Sequence, residues 1–144
     1  MRAALLLAGL LASALAQGAD YRSVQENAAV LYDAPSRAAK PLAVVSKHYP
    51  LELIVNLDAW VKVRDHTGAL AWVEKRLLAD RRTVMVTAPS AEVRVRPEEG
   101  AAHSFAAASG VVLELIEIAP GGWLRVRHAD GASGYVRAAQ GWGG

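Results

Sequence analysis

Hydrophobic and polar residues alternate in short runs along most of this chain. Alternation with a period of two extends over residues 51–55, 60–64, 113–118 and 123–127, and this pattern is typical of strands with one buried face. After residue 16 no stretch follows a long helical period, and only residues 74–80 could form a single helical turn. The pattern therefore predicts an all-β fold.

The polar turn that ends in Gly68 indicates how two of these strands pair. Val61 and Val63 share one face of their strand, and Ala71 and Val73 share one face of the next. If both faces point inward, Val63 lies opposite Ala71, and Val61 lies opposite Val73. The loop between them then has three residues, and Gly68 at its end takes a positive φ.

This register divides the side chains into a core face and an outer face. The residues expected in the core are Val61, Val63, Val73, Leu124, Val126 and Val136, and those expected in solvent are Lys62, Arg125 and Arg127. Lys62 then lies beside Trp72, and Arg125 lies beside Tyr135. A cation next to an exposed ring contributes roughly 0.5–1 kcal/mol.

The chain contains an internal repeat. Trp60 and Trp123 are 63 residues apart, and a shift of 63 also superimposes Gly68 on Gly131. The same shift, without a gap, pairs Trp72 with Tyr135, Val30 with Val93, Leu53 with Ile116 and Val55 with Ile118. Because the match aligns rare aromatic residues with a turn glycine, we interpret it as a duplication.

The duplication predicts two domains, at residues 17–82 and 83–144. A domain of about 60 residues buries only about 60% of its unfolded surface and is marginally stable alone. The chain has no Cys, so disulfides cannot stabilise either domain. Residues 83–87 have the composition of a strand rather than of a flexible linker. We therefore expect the two domains to pack against each other.

Residues 1–16 have the pattern of a secretory signal peptide. Arg2 precedes an apolar run of Ala, Leu and Gly, which ends in small residues before polar ones begin at Gln17. We expect cleavage after Ala16 and a periplasmic or secreted mature chain. The apolar run is too short to span a bilayer comfortably, and no later segment is a transmembrane candidate.

Charge and composition exclude several classes of function. Sixteen Lys and Arg residues against fourteen Asp and Glu give a formal net charge of +2, whereas nucleic-acid binding requires a clustered basic surface. No nucleic-acid partner is therefore expected. The absence of Cys excludes thiolate nucleophiles, zinc–thiolate sites and a lipid anchor on a cysteine.

The order of the motifs resembles that of bacterial Src-homology-3-like (SH3-like) domains. Each repeat has a Val-containing strand, a loop with Pro, a W-x-x-V-R strand, a turn ending in Gly, and a W/Y-V strand. The run Val93-Arg94-Val95-Arg96-Pro97 occupies the place of the Asn-Val-Arg-Ser signature of these domains. The first repeat departs from that signature, with Val30-Leu31-Tyr32-Asp33.

Residues 72–83 and the tail at 138–144 are similar to a narrower group of exported tandem-domain proteins, mostly of uncharacterised function. The resemblance covers nearly all of residues 21–144. It implies two tandem SH3-like barrels of five strands each. It also implies a non-catalytic module, since relatives bind cell-wall peptides or protein partners.

Residues that could support catalysis or metal binding are scattered. The four histidines, His48, His66, His103 and His128, lack the i, i+2 or i, i+4 spacing of a metal pair. No G-x-S-x-G motif marks a nucleophile. We expect no enzyme activity, metal or cofactor. Glu98 and Glu99 lie in a loop that is either simply solvated or a site for a cationic group.

Aromatic residues are the candidate ligand-binding residues. The strand register places Trp60, Trp72, Trp123 and Tyr135 on the outer face, and Tyr32 and Tyr49 could extend a groove in the first domain. Exposed rings are favoured anchors in binding grooves. The alternative is that these rings pack against the neighbouring domain or cover the rim of a barrel.

The densest basic set comprises Lys75, Arg76, Arg81 and Arg82. These residues either form a solvated face with inter-domain salt bridges, or provide a patch for an acidic partner or an anionic wall polymer.

Two functions fit this sequence. The first is recognition of peptidoglycan or of a cell-wall peptide. The second is a protein–protein adaptor in an envelope complex.

Overall fold

The computed structural model describes residues 19–144, so the predicted signal peptide lies outside the described residues. Within this range the chain is built almost entirely from β-strands, with two 3-10 helices at Lys75–Leu77 and Ala138–Gln140. The first seven strands are β1 (Tyr21–Val24), β2 (Ala28–Tyr32), β3 (Pro41–Ser46), β4 (Pro50–Asn56), β5 (Trp60–Arg64), β6 (Leu70–Glu74) and β7 (Leu78–Ala79). The other seven are β8 (Thr83–Val86), β9 (Ser90–Arg94), β10 (His103–Ala108), β11 (Val112–Ala119), β12 (Trp123–Arg127), β13 (Ser133–Arg137) and β14 (Gly141–Trp142).

The strands form two antiparallel sheets with the same topology. Their orders are β3-β2-β6-β5-β4-β1-β7 and β10-β9-β13-β12-β11-β8-β14, and we call each sheet with its core a domain. The prediction of two tandem all-β domains is confirmed. Each sheet has seven strands rather than the expected five, because the short pairs β1–β7 and β8–β14 extend one edge. Among residues 19–144, no helix is both long enough and apolar enough to cross a membrane.

The predicted hairpin register is confirmed in the first domain. Val63 lies opposite Ala71, and Val61 lies opposite Val73. The loop closes through a hydrogen bond from the Asp65 N–H to the Ala69 carbonyl at 3.0 Å. The turn glycines of both domains, Gly68 and Gly131, have φ values of 90° and 96°, a conformation that glycine adopts without steric cost.

Each domain has its own hydrophobic core, and the predicted inward face supplies much of it. The six residues predicted in the core, Val61, Val63, Val73, Leu124, Val126 and Val136, are all buried. Burying one Val or Leu side chain contributes roughly 1.5–3 kcal/mol. On the outer face, Arg125 and Arg127 are exposed, whereas Lys62 is half-buried.

The two domains correspond with one insertion, so the gap-free repeat is wrong. In the first half of each domain, counterparts are 62 residues apart, not 63. The fully buried Leu51 corresponds to Leu113. Likewise His48, with a φ of 73°, corresponds to Gly110, with a φ of 88°.

The extra residue lies between β11 and β12. In the first domain the Leu57 N–H donates to the Trp60 carbonyl, which leaves two residues in the turn between them. In the second domain Ala119 pairs with Trp123, and the three residues of a Pro-Gly-Gly turn lie between them. The three pairs that the gap-free shift made before this turn, Val30 with Val93, Leu53 with Ile116 and Val55 with Ile118, are therefore wrong. Leu53 corresponds instead to Leu115, and each packs against the core of its own domain.

The two domains pack against each other, as predicted. Tyr21 on β1 and Trp142 on β14 meet edge to face, with ring centroids 5.3 Å apart. The Arg82 guanidinium lies 5.2 Å from the Tyr21 ring centroid and donates to the Gly143 carbonyl at 3.0 Å. The aromatic residues at this interface are thus different from those on the predicted outer faces.

A charged cluster extends the same interface. The Thr83 hydroxyl donates to the His48 carbonyl at 2.6 Å, joining the second domain to the first. Arg81 and Arg127 both pair with the Glu114 carboxylate, at 3.0 and 2.9 Å. Hydrogen bonding from Arg127, with the nearby charge of Arg81, lowers the pKa of Glu114.

Candidate binding groove

An aromatic groove lies on the outer face of the first domain. Trp60 begins β5 and Tyr32 ends β2. Both rings are partly exposed, and they meet edge to face with centroids 5.7 Å apart. The groove has a volume of about 370 Å³ and is lined by Asp58, Ala59, Trp60, Glu74, Lys75 and Arg76. It therefore combines an indole with a charged rim.

The pairing of β5 with β6 places the rim beside the indole. Trp60 lies directly opposite Glu74, the last residue of β6. The Lys75 N–H then donates to the Ala59 carbonyl at 3.0 Å, which fixes the start of the first 3-10 helix next to Trp60. Lys75 and Arg76 are consequently exposed at the edge of the groove.

Opposite charges join the β2–β3 loop to this rim. Arg37 in that loop pairs with one oxygen of the Glu74 carboxylate at 2.7 Å, and Arg76 pairs with the other at 3.2 Å. The Glu74 side chain is only 16% exposed, whereas those of Arg37 and Arg76 are 65% and 63% exposed. With Lys75 and Asp58 included, three cations face two carboxylates, so the rim carries a surplus of positive charge.

The remaining aromatic candidates of the first domain lie in different places. Trp72 is opposite Tyr32 in the pairing of β2 with β6, so it belongs to the same face of the sheet. Tyr49 does not line the groove. Its ring lies 5.8 Å from the His66 ring and packs against the core, and its hydroxyl bonds to His66 Nδ1. Burial raises the pKa of the Tyr49 hydroxyl.

In the second domain the corresponding indole is covered, and the expected exposure of Trp123 is wrong. The Trp123 residue is 5% exposed. The Arg137 guanidinium stacks 4.1 Å from its ring centroid, donates to the Gly121 carbonyl at 3.2 Å and pairs with Glu99 at 2.5 Å. The groove here, of about 330 Å³, is lined largely by charged side chains.

The second domain also lacks a ring at the position of Tyr32. Arg94 occupies that position, because Arg94 lies opposite Tyr135 as Tyr32 lies opposite Trp72. The Arg94 guanidinium donates to a backbone carbonyl at 2.9 Å and to the Glu92 carboxylate at 2.7 Å. Tyr135 is partly exposed, but it has no aromatic partner within the described residues.

The four residues of the predicted basic set lie in two separate places. Arg81 and Arg82 contact the second domain through Glu114 and Gly143, in agreement with the inter-domain alternative. Lys75 and Arg76 line the aromatic groove. An anionic ligand in the aromatic groove would therefore meet two of these cations rather than four.

The histidines and the paired carboxylates contact separate partners and do not converge on one site within the described residues. Among residues 19–144, no cluster of three His, Cys, Asp or Glu side chains could hold a metal ion. His128 lies 3.1 Å from Asp130, and its Nδ1 accepts a hydrogen bond from the Asp130 N–H. Of the paired carboxylates, Glu98 approaches Arg96 at 3.6 Å, whereas Glu99 is held by Arg137.

Several residues of the two grooves are absent from the predicted site. They include Arg37, Asp58, Glu74 and Arg137, whereas Glu99 was predicted only as one of the paired carboxylates. Arg37 and Glu99 are 62 residues apart, and Glu74 and Arg137 are 63 apart. A repeat alignment with one insertion would have placed each pair at equivalent positions, and so would have revealed their opposite charges.

Comparison with known families gives two matches along the chain. The sequence profile described as the bacterial SH3 domain matches residues 25–80 and again residues 87–143. None of the curated proteins matches the chain significantly.

Similar solved structures include two proteins of Trichomonas vaginalis and one of Bacillus cereus. NlpC1 from Trichomonas vaginalis is 15% identical with a TM-score of 0.41, and the match covers 91% of this chain and 48% of that one. NlpC2 from the same organism is 13% identical with a TM-score of 0.41, covering 87% and 48%. An NlpC/P60 family protein from Bacillus cereus is 16% identical with a TM-score of 0.40, covering 84% and 55%. The chain thus spans about half the length of each.

Proposed function

Because this chain belongs to the bacterial SH3 domain family, we propose that it is a non-catalytic module that binds cell-wall peptide through the groove of its first domain. The observation that carries this proposal is the partly exposed ring pair of Trp60 and Tyr32. The described part of the second domain has no equivalent pair, since its indole is covered and Arg94 replaces the tyrosine.

The chemistry of the groove suits such a ligand. The face of Trp60 offers apolar contact to an alkyl side chain or to a sugar ring. The exposed cations Lys75 and Arg76 can pair with the free carboxylates that cell-wall peptides carry. Because these cations are exposed, their contribution should weaken as salt increases.

The proposed site of action is outside the cytoplasm. The signal-peptide pattern of residues 1–16 supports this location. Mass spectrometry of the protein from a periplasmic extract should show a chain that begins at Gln17. Retention of residues 1–16 in that fraction would contradict export by cleavage.

Cosedimentation with purified sacculi tests the binding proposal. Removing a central aromatic anchor costs roughly 2 kcal/mol or more, which is at least about a thirtyfold loss of affinity. We expect Trp60→Ala to lose this much, and Tyr32→Ala to lose a smaller amount. Tyr135→Ala is the matched control, since it removes a partly exposed ring from the same face of the other domain and should bind like wild type.

Each variant must retain the wild-type circular dichroism spectrum for this comparison. Equal binding by wild type, Trp60→Ala and Tyr135→Ala would eliminate the aromatic groove as the ligand site. A protein adaptor, the alternative function, gives a different result. The wild-type chain would not sediment with sacculi, but it would co-purify with one envelope protein.

A further inference from the structure

The two domains contain the same ion pair with its charges exchanged. In the first domain the loop residue Arg37 pairs with the strand residue Glu74 at 2.7 Å. In the second domain the loop residue Glu99 pairs with the strand residue Arg137 at 2.5 Å. The strand residues are equivalent because each lies opposite the groove tryptophan in the sheet register.

The loop residues are equivalent by their backbone hydrogen bonds. In the first domain the Ala39 N–H donates to the Ser36 carbonyl, and in the second the Ala101 N–H donates to the Glu98 carbonyl. Both bonds are 3.1 Å long, and the residues that they join are 62 apart. The two loops therefore have the same local fold, and Glu99 occupies the place of Arg37.

The exchange of charge decides whether the indole is available. A guanidinium is attracted to the negative face of an indole ring, whereas a carboxylate is not. Arg137 therefore lies on Trp123, which is 5% exposed. Glu74 at the same position turns to Arg37 and Arg76, and leaves the Trp60 ring partly exposed.

We propose that the Glu99–Arg137 pair masks the groove of the second domain, so that the protein binds its ligand through the first domain alone. This inference rests on the proposed function of the first groove. The masked groove retains the tryptophan and the loop geometry of a binding groove. The stacked arginine withholds the ring. The two carboxylates of this groove, Glu92 and Glu99, are each paired with an arginine, so the groove lacks the surplus of positive charge that the first groove has.

The first arm of the test measures access to Trp123 without any ligand. The double variant Glu99→Arg/Arg137→Glu keeps an ion pair but gives it the polarity of the first domain. We expect stronger quenching of tryptophan fluorescence by acrylamide in this variant than in wild type. Glu117→Arg/Arg125→Glu is the matched control, since it reverses another cross-strand pair of exposed residues in the same domain. Unchanged quenching in a folded double variant would overturn the proposal.

The second arm measures binding to sacculi in the Trp60→Ala background. This background removes the first groove, so the Glu99→Arg/Arg137→Glu exchange should restore binding by about tenfold, less than the roughly thirtyfold that Trp60→Ala removes. The Glu117→Arg/Arg125→Glu exchange should restore none. Exposure of Trp123 without any recovery of binding would show that the second groove is not a masked ligand site.

The two arms separate this inference from the proposed function. If the wild-type chain does not bind sacculi, the proposed function fails, and the quenching arm alone decides whether Arg137 covers the ring. If Trp60→Ala retains full binding, the first groove is not the ligand site, and the proposed function and the inference both fail. If Trp60→Ala loses binding but the exchange restores none, the inference alone is wrong.

Discussion

His48 adopts an unfavourable backbone conformation that one substitution should relieve. Its φ of 73° lies in the left-handed region, and its counterpart in the second domain is Gly110, with a φ of 88°. A residue with a Cβ pays about 1–2 kcal/mol in this region. Glycine avoids that cost but gives the unfolded chain extra freedom, worth about 0.4–1 kcal/mol. We therefore expect His48→Gly to raise the free energy of unfolding by about 1 kcal/mol.

Urea denaturation at pH 8 measures this change without interference from the histidine charge, because burial already lowers the pKa of His48 from its usual value near 6.5. His48→Ala is the matched control, since it removes the same ring but keeps a Cβ at the left-handed position. Both variants retain the carbonyl that accepts the Thr83 hydroxyl. If His48→Gly is no more stable than His48→Ala, backbone strain at this position is not the reason for any gain.

Three further changes have defined outcomes. Gly68→Val and Gly131→Val should each lower the free energy of unfolding by about 1–2 kcal/mol in urea titrations, because both positions have positive φ. The space around both glycines is open, so this cost comes from the backbone conformation and not from a steric clash. Wild-type stability of either variant would contradict the three-residue loop. Gly143→Ala should cost about 1–3 kcal/mol, since its Cβ would lie 2.5 Å from the Thr83 carbonyl oxygen, and it should loosen the domain interface, since the same Cβ would lie 2.9 Å from the Pro50 Cβ of the first domain; an unchanged calorimetric profile would contradict this packing. Glu114→Gln should destabilise the protein at pH 7. Because arginine partners lower the pKa of Glu114 in the folded state, the difference from wild type should shrink as pH falls below about 4.3, and a constant difference down to pH 3 would contradict the pairing.

The strands and one hairpin register could be predicted because they depend on local patterns. The alternation around Val61 and Val73 fixes the inward face, and Gly68 fixes the length of the loop. The repeat alignment failed before the β4–β5 turn for a physical reason. Chains rich in Ala and Val match themselves at more than one shift, and a single residue inserted in a turn changes the separation without changing the strands.

The covering of Trp123 could not be predicted from strand parity. Parity places its side chain on the outer face, but burial there depends on Arg137 from the neighbouring strand and on Glu99 from a distant loop. Tyr49 illustrates the same limit, because its hydroxyl bonds to His66 in a hairpin loop. Contacts between side chains that are far apart in sequence decide which outer-face rings remain available.

The most direct test of the account is an NMR titration of the ¹⁵N-labelled chain with soluble muropeptides released from sacculi. Each tryptophan contributes one indole N–H signal, so the groove of the first domain and the covered ring of the second are observed in the same sample. We predict a saturable shift of the Trp60 signal and an unchanged Trp123 signal. A shift of Trp123 with no change at Trp60, or no shift of either signal at saturating muropeptide, would contradict binding through the first domain.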